Sequence, residues 1–289
     1  MNFAAHRVQI DSEGRKITPD TLSKLQPLGD VENMSKSILV DTTLCIGCGQ
    51  CVVACKETNH LPPAQGDNLI NITLSEKTLN VVESHGSVFI RRFCMHCEDP
   101  TCASVCPVGA FQKTAAGPVI YKEDLCIGCR YCMMACPFGI PRYEWEKVWA
   151  PRVKKCTMCA PRQAQGLQPS CTEVCPVHAG IFGERDDLLI EAQSRIDKEP
   201  KKYFPHIYGK EEVGGTSVLY LSAVPFDALG LPADLPHDAL PNYTYRVLSK
   251  LPRVISATGV LLGGIYWITN RREAVAESEK AQKKNEKKK

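Results

Sequence analysis

Sixteen cysteines constrain this chain more than any other feature, because all lie between residues 45 and 175 of 289 and fall into four groups of four. The groups are Cys45, Cys48, Cys51 and Cys55; Cys94, Cys97, Cys102 and Cys106; Cys126, Cys129, Cys132 and Cys136; and Cys156, Cys159, Cys171 and Cys175. Groups one and three share the spacing C-x2-C-x2-C-x3-C and nearly the same text, LCIGCGQCVVAC against LCIGCRYCMMAC. Groups two and four read C-x2-C-x4-C-x3-C and C-x2-C-x11-C-x3-C. Three groups end in Cys-Pro, at Pro107, Pro137 and Pro176. One ligand-bearing unit has been used repeatedly.

Three chemistries use clustered cysteines. Disulfides fit poorly, since thiols two or three residues apart cannot pair in relaxed geometry. A chain this long also builds a core without them. Zinc needs only two C-x2-C pairs, and leaves both the third closely spaced cysteine and the recurring proline unexplained. Iron–sulfur ligation accounts for both. In the C-x2-C-x2-C-x3-C-P run three thiolates hold one cubane and the fourth reaches a second cluster. Small loop residues such as Ile46-Gly47 and Gly49-Gln50 let amides face cluster sulfur, and the proline ends the loop. All sixteen cysteines are therefore expected to be iron ligands.

The text between groups two and three, PVGAFQKTAAGPVIYKEDL, is a short linker with a Gly-Pro turn and a Val-Ile-Tyr strand. It leads straight into Cys126, as in a compact two-cluster hairpin, so groups two and three form one module. Groups one and four form the other by elimination, with the first inserted into it. The expected class is α+β: two nested ferredoxin-like modules with loop-rich extensions and one C-terminal transmembrane helix.

With CMHCEDPTCASVCPVGA at 94–110, CIGCRYCMMACPFGIPRY at 126–143, KCTMC at 155–159 and GGTSVLYLSAVPFDALGLP at 214–232, the chain resembles the four-cluster electron-transfer subunits of molybdopterin-type oxidoreductases. The nearest look-alikes are the iron–sulfur subunits of membrane formate dehydrogenases and of a respiratory nickel–iron hydrogenase. The resemblance runs from about residue 38 to the end. It implies four [4Fe–4S] clusters: Cys45, Cys48 and Cys51 with Cys175; Cys156, Cys159 and Cys171 with Cys55; Cys94, Cys97 and Cys102 with Cys136; and Cys126, Cys129 and Cys132 with Cys106. Lys56 follows Cys55 where a ferredoxin has proline, and is expected to loosen that turn.

Residues 254–269, VISATGVLLGGIYWIT, carry no charge and would rise roughly 24 Å as a helix, extended by Leu251, Pro252 and a snorkelling Arg253. Tyr266-Trp267 suit an interfacial belt, and Gly259 and Gly263 form a G-x-x-x-G face. Residues 271–289 carry eight Lys/Arg against four Glu. The positive-inside rule then puts the tail in the cytoplasm and the cluster domain on the periplasmic side of an inner membrane. The opening MNFAAHRVQIDSEG has neither an apolar run nor a twin arginine. Export bound to a signal-bearing catalytic partner is therefore expected.

The expected organisation is an arm at 1–38, the cluster domain at 39–184 with a module at 90–140 inserted, an extension at 185–250, the membrane helix at 251–270 and a basic tail at 271–289. Residues 185–197 are expected to form an amphipathic helix and 217–224 a strand. His96 is read as a loop residue or one that supports the neighbouring ligands, not as a ligand, and His206 and His237 as surface histidines in preference to groups near a quinone or haem. Arg91, Arg92, Arg130, Lys154 and Lys155 flank cluster loops and are read as surface charge by default, though cations near a cluster would raise its potential; Met133-Met134 is read as core packing. No nucleophile–base pair, phosphate loop or dinucleotide fingerprint appears, so no substrate site is assigned.

The functional expectation is a relay of single electrons through four cubanes, from a molybdopterin or nickel–iron catalytic subunit to a quinone-reactive, cytochrome b-type membrane subunit. Formate dehydrogenase leads, on the absent signal and the x11 gap. Hydrogenase follows on KYFPHIYG at 202–209, and a stand-alone polyferredoxin is the alternative of another class. The formal charge of +3 excludes no acidic partner by itself and calls for no nucleic acid. Four cluster sites of charge 2− subtract eight from it and leave an acidic carrier at −5 with a basic tail. The 44% apolar and 23% charged residues are those of an ordinary folded chain, not a disordered or polytopic one.

Overall fold

The computed structural model describes residues 35–64, 69–147 and 149–286, the last six by backbone alone. Most of the expected arm, 1–34, lies outside the described residues. The organising sheet has three strands in the order β8-β1-β9. Its central strand, β1 (Lys36–Asp41), pairs antiparallel with β8 (Gly180–Glu184) and parallel with β9 (Val218–Leu221). A strand covered on both faces reads as an unbroken apolar run, which is why Ile38-Leu39-Val40 shows no alternation in hydropathy.

Side chains still alternate. Leu39, Leu219 and Leu221 face α6 (Arg185–Lys198), which turns Leu188, Ala192 and Ile196 inward at helical spacing. Ile38, Val40, Val218 and Tyr220 face the other way, onto Ile90, Phe93 and Phe138 of the cysteine-bearing region. The expected helix at 185–197 and strand at 217–224 are both present, the strand shorter. Helix α6 has Asp186 and Asp187 in its first turn and Arg195 and Lys198 in its last, matched to its dipole.

Asp41 ends β1 and is almost fully buried. Its Oδ2 accepts from Tyr203 Oη at 2.8 Å and Arg195 Nη1 at 3.0 Å, and its Oδ1 from Thr43 Oγ1 at 2.6 Å. Removing one partner of such a group strands the others, so Asp41→Ala is expected to destabilise the chain by about 3 kcal/mol. Denaturant unfolding measures it; a change below about 0.5 kcal/mol would contradict this account of the clamp.

Between β1 and β8 the regular elements are short. Hairpins β2–β3 (Val81–His85 and Val88–Arg92), β4–β5 (Phe111–Lys113 and Val119–Tyr121) and β6–β7 (Arg142–Tyr143 and Val153–Lys154) and the short helix α4 (Ala160–Gln163) lie among four small helices that carry cysteines. Helix α1 (Gln50–Thr58) packs against α5 (Ser170–Glu173), where the Thr58 and Ser170 hydroxyls meet at 2.6 Å. Helix α2 (Thr101–Ser104) packs against α3 (Tyr131–Ala135). The Asp41 N–H donates to Ala179 O at 2.7 Å, joining the chain just before group one to the chain just after group four.

After β9 the chain leads to α7 (Leu240–Leu248), which leans on α2, and to α8 (Leu251–Glu286). Pro252 sits in the first turn of α8, where its missing N–H costs nothing. The helix does not stop at Arg271-Arg272, so the basic tail is helical as far as Glu286. Among the described residues one helical stretch, Leu240–Lys280, is long and apolar enough to cross a membrane.

Candidate metal centre

All four C-x2-C loops share one backbone turn. The residue two places after the first cysteine has positive φ in each: Gly47 at 69°, His96 at 49°, Gly128 at 70° and Met158 at 53°. In groups one, three and four the turn brings that residue's N–H back to the first thiol. Gly128 N donates to Cys126 Sγ at 3.4 Å and Met158 N to Cys156 Sγ at 3.3 Å, and Gly47 N–H bonds Cys45 likewise. Such a donor favours the thiolate. Glycine is required at 47 for space as well, since a Cβ there would lie 2.6 Å from the Phe89 ring. His96 and Met158 adopt the same turn without that freedom, which no spacing argument anticipates.

A second turn recurs at each Cys-Pro. Gly109, Gly139 and His178 donate to the carbonyls of Cys106, Cys136 and Cys175 at 3.2, 3.1 and 3.2 Å. Proline stops α3 there, because a proline further along would break the helical hydrogen bonds. Group one lacks the proline, and Lys56 does not loosen a turn as expected: it lies inside α1, which runs on to Thr58. It is buried, with Nζ donating to the carbonyls of Pro62 and Lys77 at 3.0 and 2.7 Å.

The thiols fall into neighbourhoods that draw on different groups. Cys45 interacts with Cys175 and Cys48; Cys55 with Cys171 and Cys159; Cys97 with Cys94, Cys136 and Cys102; Cys132 with Cys126, Cys129 and Cys106. Electrostatic interactions between neighbourhoods join Cys51 to Cys171 and Cys55, Cys156 to Cys94, and Cys102 to Cys132. They therefore follow one another in a line. Cys48 and Cys129, in its two end neighbourhoods, are exposed, whereas Cys55, Cys94, Cys132, Cys156, Cys159 and Cys171 are buried and the other thiols half-buried.

Burial pushes Cys51 up to about 11 and Cys55, Cys102 and Cys132 up to about 12. Bare thiolates are unfavourable at such depth, so these donors suit a cationic core that takes up their charge. Cys94, Cys97, Cys102 and Cys136 line a single void with Phe138 and Ile140. Among the described residues no three His, Cys, Asp or Glu side chains converge on one metal ion, as a tetrahedral zinc site with sulfur at about 2.3 Å demands. Buried donors without an acceptor, Arg91 Nε and Nη2 and His96 Nε2, fit a cluster whose sulfides accept hydrogen bonds. The donor set fits cubanes.

Several single-residue expectations need correction. Arg91 and Lys155 are not surface charge; both are buried. Lys155 Nζ donates to Val119 O at 2.6 Å and Cys156 O at 2.9 Å. In β3 alternate residues face opposite sides, so of the adjacent Arg91 and Arg92 one had to point inward; that signal was available. Arg130 is exposed, 5.4 and 5.3 Å from the Tyr143 and Trp145 rings, and Lys154 pairs with Glu123. Met134 is not core: it is 87% exposed, while Met133 packs inward. His96 is fully buried, its Nδ1 accepting from Val119 N at 2.9 Å. His206 pairs with the buried Glu212 at 2.6 Å, and His237 is exposed beside Glu211.

Two family models described as 4Fe–4S dicluster domains match the chain, over residues 44–110 and 86–185. Together with the thiol neighbourhoods, they define a [4Fe–4S] protein of ferredoxin type. A protein of Nitratidesulfovibrio vulgaris is 42% identical over 261 residues, covering 86% of this chain and 70% of the relative. The hydrogenase-2 operon protein HybA of Escherichia coli O157:H7 is 37% identical over 240 residues, 68% of this chain and 73% of the relative. The iron–sulfur subunit of the nitrate-inducible formate dehydrogenase of Escherichia coli K12 is 38% identical over 198 residues, 63% and 66% of the two chains. The chain belongs to the family of iron–sulfur electron-transfer subunits that contains HybA and the formate dehydrogenase iron–sulfur subunits.

Proposed function

We propose that this chain relays single electrons through four [4Fe–4S] clusters held by two nested modules. In this reading Cys45, Cys48, Cys51 and Cys175 hold the first cluster, and Cys55, Cys156, Cys159 and Cys171 the second. Cys94, Cys97, Cys102 and Cys136 hold the third, and Cys106, Cys126, Cys129 and Cys132 the fourth. The observation that carries it is the line of thiol neighbourhoods, whose two exposed thiols, Cys48 and Cys129, lie one in each end neighbourhood. Tunnelling falls steeply with distance, so a relay needs such a line. The packing of α1 on α5 and of α2 on α3 supports the nesting.

The fourth cluster would face the membrane partner, because α7, which leads into α8, leans on α2 between Cys102 and Cys106. The first would then receive electrons from a catalytic subunit. The one apolar helix among the described residues supports a single-pass anchor in the inner membrane, and the basic residues beyond it support a cytoplasmic tail and a periplasmic cluster domain. Formate dehydrogenase and hydrogenase remain the two partner readings. The longer alignment with HybA favours a nickel–iron partner over the molybdopterin one.

The anaerobically purified chain is expected to carry about sixteen iron atoms and as many sulfides. Near-zero iron with stoichiometric zinc would reject the reading. Metal analysis of the intact complex separates the partners, nickel marking hydrogenase and molybdenum or tungsten formate dehydrogenase.

A further inference from the structure

Arg91 is a buried cation without a carboxylate. Its side chain leaves β3 for the interior and is 4% exposed. Nη1 donates to Cys171 O at 3.2 Å, the guanidinium lies 4.5 Å from the Phe93 ring centroid, and Nε and Nη2 meet no acceptor. Its neighbour Arg92 pairs with Glu83 at 3.4 Å; among the described residues no acid pairs with Arg91. The side chain is held in place. Tyr220 Oη donates to the Arg91 carbonyl at 2.6 Å, and a Cβ on Gly180 would come within 3.2 Å of both Nη atoms.

An unpaired charge at this depth is strongly unfavourable, so something must balance it. Apart from the Tyr220 phenol, the groups within its field are thiols: Cys45 and Cys51 of the proposed first cluster, and Cys55, Cys156 and Cys171 of the second. We propose that Arg91 is the shared counter-charge of these two clusters and raises both their reduction potentials. The inference rests on the four-cluster reading above. Each cluster gains one electron on reduction and its site becomes more negative, which a fixed cation favours. The guanidinium is protonated throughout, so neither step carries a proton through it.

The test compares Arg91→Gln, Arg91→Lys and Arg92→Gln in the full chain within its complex, by iron analysis and EPR-monitored redox titration. In Arg91→Gln two of the four potentials are expected to fall by at least tenfold in the one-electron equilibrium constant, about 59 mV each, with the other two unmoved. Arg91→Lys, which keeps the charge, and Arg92→Gln should stay at the wild-type values. Four unmoved potentials in Arg91→Gln overturn the proposal, and so does an equal fall in Gln and Lys. If Arg91→Gln loses iron while Arg91→Lys keeps both iron and potentials, the charge is confirmed as what the clusters need. If both lose iron, Arg91 is a scaffold residue and the proposal fails. A wild-type chain without about sixteen iron atoms would instead sink the four-cluster reading itself.

Discussion

Replacing Cys171 with alanine is expected to stop electron relay through the chain while leaving both ends reducible. Cys171 is buried, sits beside Cys55 and Cys159, and lies next to Cys51 of the neighbouring set. Burial matters here, because no water or added thiol can take the vacated position as it could at the exposed Cys129. The proposed second cluster would be lost, and with it about four of the sixteen iron atoms that the four-cluster reading requires. Its loss opens a gap in the middle of the line. Turnover from the catalytic subunit to a quinone should therefore fall by more than the roughly 10–100-fold that follows loss of a residue merely hydrogen-bonded to a ligand. Reduction by dithionite should still develop the signals of the three remaining clusters. Iron analysis, EPR and quinone-linked turnover read the three quantities. Relay at wild-type rate with the second cluster gone would mean that the clusters do not work in series.

What the sequence revealed about the site depended on how local the cause was. The C-x2-C loops and Cys-Pro turns are written in consecutive residues, and Gly47 and Gly128 announce their positive φ. The loops at His96 and Met158 take the same turn with residues that give no such sign, because the turn is enforced by what surrounds it. Strand β5 and helix α6 were readable from a Gly-Pro turn and from 188/192/196 spacing. The pairing of β1 with β9 joins Ile38 to Val218 and leaves no local trace.

Buried charge is the least legible feature of the sequence, and for a physical reason. Arg91 and Lys155 look like surface residues only if the interior is assumed to be neutral and apolar. An interior holding thiolate-ligated clusters is anionic, so cations belong in it. The same assumption hid Lys56, whose ammonium lies buried on carbonyls inside a helix that the missing proline allows to continue. Met134 fails in the opposite sense. It stands exposed, with Tyr131 and Trp145, beside the exposed Cys129 end of the line, where an apolar patch can meet another protein.

Ending the chain at Lys250 is expected to move it from the membrane fraction to the soluble fraction with its iron intact. None of the sixteen cysteines lies on α8, so cluster assembly should not depend on it. The helix presents Val260, Leu261, Leu262, Ile265 and Trp267 to its surroundings, all more than half exposed. A helix apolar on all sides is unfavourable in water and favourable in lipid. Fractionation after a carbonate wash, with iron measured in each fraction, tests this; a truncated chain that stays in the washed membranes would show that something other than α8 anchors it. Docking can be separated from anchoring at Gly259 and Gly263, where a Cβ would meet nothing in this chain. Gly263→Leu should therefore leave folding, iron content and membrane residence unchanged. If the G-x-x-x-G face seats a second membrane helix, the same substitution should cost the close approach that such packing requires. The membrane subunit would then be lost on purification while the cluster chain stays in the bilayer.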